Sequence, residues 1–211
     1  ETGWCKVDPF FTEPTLQNEG KTTILYSPTF SRGITSVEAL YDTIHQIAER
    51  RDWEWIITFH PKITDHSIIN KYQKLAEKFD NVSFERNEGL KTFQRADVML
   101  CDSSSIILEF MLLSKPVVTF KNTNPGPHLI DVNECDAVEP ALETALTRPK
   151  SLMEAIDTYT LNHEAHRDGN NCSRVLDAVD HFKSNFEGRI KAKPLNLWRK
   201  FRLRNKLKYW K

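Results

Sequence analysis

Residues 100–120 read LCDSSSIILEFMLLSKPVVTF. Two apolar runs are separated there by an acid and three consecutive serines, Asp102 to Ser105. The first run, DVMLC (97–101), has the composition of a strand buried on both faces. IILEFMLL continues as a helix, and KPVVTF (115–120) reads as the next strand. Two strands joined through a helix pair in parallel, so this stretch predicts one unit of a parallel sheet.

The same alternation runs upstream. TTILYS (22–27), WEWIITF (53–59) and NVSF (81–84) read as strands. Between them, 35–51 carries Val37, Leu40, Ile44 and Ile47 at helical spacing, with Thr35 or Ser36 as its cap. Ile68, Tyr72, Leu75 and Phe79 mark a second helix over 67–79, and 89–96 is a short third. Beyond Phe120 a loop, KNTNPGPH (121–128), leads into helices near 137–147, 150–159 and 171–185 with no further strand expected. The predicted fold is α/β, a Rossmann-like doubly wound parallel sheet.

Composition agrees with one such domain. The 211 residues are 39% hydrophobic and 27% charged, and no apolar run approaches the roughly 20 residues that cross a bilayer. With no signal-like start, the chain reads as cytoplasmic. Cys5, Cys101, Cys135 and Cys172 lack C-x-x-C spacing and are expected to be free thiols. Asp97 and Asp102 stand at opposite ends of one strand, too far apart to share an ion, so no metal site is expected.

In open sheets of this kind ligands sit at the carboxyl ends of the strands. The loops at 27–34, 60–66, 85–90, 102–105 and 121–128 therefore hold the candidates. At the serine corner, helix-start amides with the hydroxyls of Ser103, Ser104 and Ser105 form an anion cradle. Against this stands the bland reading, in which one serine only caps the helix and Asp102 ends the strand. His60, held by Pro61 directly after a strand, can give or take a proton near neutral pH or stabilise phosphate charge. Thr29 and Arg32 offer further donors to phosphate.

TGWCKVDPFF (2–11), ILYSPTF (24–30), FHPK (59–62), ADVMLCDSSSIILEFMLLSKPVVTF (96–120) and HRDGNNCSRVLDAV (166–179) together resemble the CDP-glycerol glycerophosphotransferases, the family of teichoic acid and capsule polymerases. The D-x-S-S-x-x-x-E pattern from Asp102 to Glu109 is also similar to UDP-GlcNAc 2-epimerases and other GT-B glycosyltransferases. The first resemblance implies the nucleotide-donor half of a GT-B fold, transferring glycerol phosphate or a related polyol phosphate from a CDP-activated donor to a growing polyol-phosphate or glycan acceptor. CDP-glycerol would be the substrate, and no cofactor is implied.

On that resemblance 1–20 is an inter-domain hinge, 21–188 the donor domain and 189–211 a tail. The acceptor-binding amino-terminal domain then lies outside the chain, which by itself would turn over little. Glu1-Thr2-Gly3 reads either as residues foreign to a truncated protein or as part of the hinge. His60 is the implied catalytic residue, on the phosphates or aiding proton transfer. Asp102, Glu109, Pro61 and Asn87 are the implied nucleotide and ribose contacts, Asn87 by its place in the loop RNEGL (86–90). The stretch DGNNCSR (168–174) resembles the family's closing D-G-x-x-S-x-R element, with Cys172 at its serine position. Its glycine and helix start suit a phosphate or ribose contact, against which stands a purely structural role.

The tail sets itself apart by charge. From Arg189 to Lys211 there are ten Lys or Arg and no acid, leaving the preceding residues with a net charge of −10. Trp198, Phe201, Leu203, Leu207, Tyr209 and Trp210 interleave with the cations, but at 100° per residue they gather on no single clean face. An anionic inner-membrane surface and the absent domain are the two readings of its partner. The acidic body argues against nucleic acid. A UDP-sugar enzyme, epimerase or glycosyltransferase, is the alternative function, separable by uridine rather than cytidine preference.

Overall fold

The computed structural model describes residues 1–14, 20–86, 89–186, 188–189, 191 and 194–210. Its strands are β1 (Thr23–Tyr26), β2 (Glu54–Thr58), β3 (Val82–Glu85), β4 (Val98–Cys101), β5 (Val117–Phe120) and β6 (Ile130–Val132). They form one sheet in the order β3-β2-β1-β4-β5-β6, every pair parallel. Chain order reverses between β1 and β4, and the switch point opens at the carboxyl ends of those two strands.

Period-two alternation sorts the strand side chains into two cores. Ile24, Tyr26, Trp55, Ile57, Leu100, Val118 and Phe120 pack on one face with α2 (Tyr41–Arg50), α3 (His66–Lys78) and α6 (Val138–Leu146). Leu25, Ile56, Met99, Cys101 and Val117 pack on the other with α4 (Leu90–Arg95), α5 (Ile106–Met111) and α7 (Lys150–His163). Both faces are covered, which is why β1 and β4 are buried at every position and β4 is apolar throughout.

Two expectations need correction. A sixth strand does follow Phe120. β6 is three residues long, only half-buried, and carries Asp131, which accepts from Thr119 Oγ1 at 2.7 Å and the Asn122 amide at 2.9 Å. So short an edge strand built around an acid has no strand-like composition. The helix expected over 35–51 begins only at Tyr41; residues 37–40 form turns, and the Ser36 amide donates to Asp102 after the neighbouring β4, as described below.

The remaining helices are α1 (Asp8–Thr12), α8 (Asn171–Phe186) and α9 (Leu197–Leu207). The amino-terminal segment is docked on the start of α8. Asp8 accepts from the amides of Asn171 at 3.0 Å and Cys172 at 2.8 Å, and buried Glu164 accepts from the Trp4 amide at 2.7 Å. Gly3, at φ +74°, lies so close that a Cβ there would sit 2.0 Å from Asn171 Oδ1. Two segments far apart in sequence, 2–11 and 166–174, thus make one structural joint.

Candidate active site

The carboxylate of Asp102 organises the switch point. It is fully buried and accepts four hydrogen bonds, from the Thr29 amide (2.8 Å), the Ser36 amide and hydroxyl (both 2.9 Å) and the Ser103 amide (2.8 Å). Its backbone carbonyl accepts from Asn122 Nδ2 at 2.6 Å. One acid therefore fixes the loops after β1, β4 and β5 relative to each other. The structure places Asp102 beneath the site as a positioning residue, with its oxygens committed within the chain.

Two cavities open around that anchor. The first, about 530 Å3, is lined by Thr29, Phe30, Arg32, Thr35, Lys62 and Asp65, among others. His60 stands at its edge, its ring 4.5 Å from that of Phe30, and the Lys62 ammonium lies 4.6 Å from the same Phe30 ring. The Lys62 amide donates to His60 Nδ1 at 3.1 Å, so the neutral imidazole carries its proton on Nε2. Pro61 is exposed in the turn that follows. Thr35 Oγ1, buried in this cavity, has no hydrogen-bond partner among the described residues.

The second cavity, about 410 Å3, is lined by Ser103, Ser104, Ser105, Asn122, His128 and Tyr159, among others. Ser103 Oγ is already an acceptor for the Thr123 amide at 2.8 Å, while Ser104 Oγ makes only a long 3.5 Å contact with the Ile106 amide. The ring of His128 stacks on Tyr159 at 3.7 Å, and Tyr159 lies 4.3 Å from His163. Burial, and then the neighbouring His163, push His128 below the ordinary imidazole range.

His60, Thr29 and Arg32 thus collect on one side of the loop after β1, and the three serines on the other. Glu109 is buried with Oε1 taken by the Lys6 ammonium at 2.6 Å, which ties α5 to the amino-terminal segment. Asn87 lies outside the described residues. The α8 amino terminus is capped by Asp8, and Arg174 and Asp168 pair with each other. Among the described residues no cluster of His, Cys, Asp or Glu could hold a metal ion.

Ser36, Thr35, Asn122, His128 and Tyr159 were not singled out from the sequence as site residues. Asn122 and His128 belong to the loop 121–128, already marked by its place after a strand. Nothing local distinguishes Ser36 or Tyr159.

Comparison with known proteins bears on this geometry directly. The family model for UDP-N-acetylglucosamine 2-epimerase matches residues 16–180. Among solved structures, a UDP complex of S. aureus MnaA is similar at 19% identity and TM-score 0.58, covering 92% of this chain and 56% of that one. A putative UDP-N-acetylglucosamine 2-epimerase from Listeria monocytogenes is similar at 18% identity and TM-score 0.55, covering 89% and 53%. The UDP-GlcNAc 2-epimerase from Neisseria meningitidis, bound to UDP-GlcNAc, is similar at 16% identity and TM-score 0.50, covering 81% and 45%. No curated protein matches the chain at a significant level. The chain spans about half the length of these structures.

These findings overturn the resemblance to CDP-glycerol glycerophosphotransferases, and with it the phosphotransferase activity and the teichoic acid or capsule role. In this chain the stretches that carried that resemblance serve its architecture: Gly3 and Asp8 seat α8, and Asp102 locks the switch-point loops. Residues that build a fold do not separate the chemistries it hosts.

Proposed function

The chain belongs to the UDP-N-acetylglucosamine 2-epimerase family, and on that footing we propose that it is the nucleotide-binding half of an enzyme acting on UDP-N-acetylglucosamine or a close UDP-sugar. The observation that carries the reading is the pair of cavities astride the β1–β4 switch point, locked by the four hydrogen bonds of Asp102.

In this reading the diphosphate rests at the serine corner, where Ser104, Ser105 and the amides that follow them meet its charge. His60 donates from Nε2, and Thr35, Thr29 and Arg32 complete the polar lining on the other side of the β1 loop. Glu109 reaches ribose only if it shares its carboxylate with Lys6. Epimerisation itself is assigned to a cleft that a second domain completes. The division into hinge (1–20), nucleotide domain (21–188) and tail (189–211) belongs to the same proposal. Four free cysteines support a cytoplasmic compartment. No described helix is long and apolar enough to cross a membrane.

Calorimetric titration of the chain with UDP, UDP-GlcNAc, CMP and CDP-glycerol tests this. Uridine ligands should bind at least about tenfold tighter than cytidine ligands, and Ser104→Ala should weaken them. Equal or tighter cytidine binding would sink the proposal, and so would no binding of any of the four.

A further inference from the structure

We propose that the carboxy-terminal segment, residues 194–210, docks on the surface of an anionic lipid bilayer. The basic charge was legible in the sequence, but a coherent apolar patch was not. The structure assembles one by reversing the chain. α9 ends at Leu207; the next residue, Lys208, adopts a left-handed conformation at φ 50°, and the Tyr209 amide donates back to the Arg204 carbonyl at 2.9 Å. The turn lays Trp210 edge-on against Phe201 at 5.5 Å, while Trp198, one helical turn before Phe201, stacks on it at 5.8 Å.

Three aromatic rings thus share one patch. Trp198 is 72% exposed and Trp210 57%, and every described residue from 194 to 210 is exposed. Leu197, Trp198 and Phe201 fall within about 100° of the helix circumference, with Arg202 and Arg204 on its two flanks. Among the described residues no tail cation is paired with a carboxylate of the acidic body.

Exposed rings rimmed by cations suit the headgroup boundary, where indoles settle and basic side chains reach anionic lipid. The exposed Leu195, Leu197, Leu203 and Leu207 favour lipid over nucleic acid, because a base stacks on a ring but gives an aliphatic side chain no apolar volume.

The test is co-sedimentation of the full chain with vesicles of phosphatidylglycerol and phosphatidylcholine, against phosphatidylcholine alone. Binding should need the anionic lipid, fall as salt rises, and move tryptophan emission to the blue. Trp198→Ala, Phe201→Ala and Trp210→Ala together should abolish it, and Arg202→Gln and Arg204→Gln should each weaken it about fivefold. Ser104→Ala should leave it unchanged, which separates this surface from the nucleotide site.

Absence of binding, or equal binding to neutral vesicles, would overturn the proposal. Self-association that the aromatic variant abolishes, with no lipid binding, would assign the patch to protein contact. Stronger binding to single-stranded DNA than to anionic vesicles at equal salt would assign it to nucleic acid.

Discussion

Asp102 and Ser36, 66 residues apart, are joined by two hydrogen bonds of 2.9 Å, from the serine amide and from its hydroxyl to one carboxylate oxygen. Asp102→Asn replaces an acceptor oxygen with a donor amide facing amide donors. Loss of about 2–3 kcal/mol of stability is expected from such buried mismatches. Urea unfolding reads the loss, and titration with UDP at a temperature where the variant is folded should show weaker binding as the β1 loop loosens. Unchanged stability would mean that the carboxylate does not lock the loops.

Thr35→Val addresses the nucleotide cavity from the opposite direction. The hydroxyl is buried and has no partner among the described residues, so its removal should leave stability unchanged or raise it by about 1 kcal/mol. UDP affinity should nevertheless fall severalfold if the hydroxyl serves a ligand. A destabilised variant with intact affinity would show that Thr35 is structural.

The joint between the amino-terminal segment and α8 should be sensitive to acid. Against the upward pull of burial, the amides and side chains of Cys172 and Asn171 hold the Asp8 carboxyl below its usual range. With the folded value depressed, the unfolded chain takes up this proton first. The contribution is thus complete above about pH 4 and is lost as pH falls further. Asp8→Asn should lower Tm by about 2–4 °C at neutral pH and flatten the acid limb, as differential scanning calorimetry across pH would show.

His128 predicts a second window at milder pH. Its imidazole is held below the ordinary range in the folded chain, so protonation favours the unfolded state. Stability is full above about pH 6.5 and declines as pH falls below it. The drop in Tm between pH 7.5 and 5.5 should be smaller in His128→Gln than in the unaltered chain. Equal drops would mean that the stack on Tyr159 tolerates the imidazolium.

Much of this was legible locally. The alternation of apolar strands with helices identified the parallel sheet, because a strand covered on both faces is largely apolar, as the wholly buried β1 and β4 are. The rule that ligands meet strand ends then marked the serine corner and His60 from the sequence alone. β6 escaped because three residues around Asp131 carry no strand signal. The division of His60 and the serines between two cavities escaped because it depends on the loop after β1. Family motifs misled on chemistry for a related reason: Gly3, Asp8 and Asp102, which stand in them, build the joint and the lock of this chain.

By itself the sequence determined the fold class, the edge of the sheet where the candidate site lies, and the charge of the tail, all properties of periodicity and composition. Only the tertiary structure decided that Asp102 is an internal lock, that Asp8 occupies the α8 terminus, and that Trp210 returns to Phe201. A hydrogen bond or ring contact between distant residues depends on where the backbone brings them, and no local pattern encodes that.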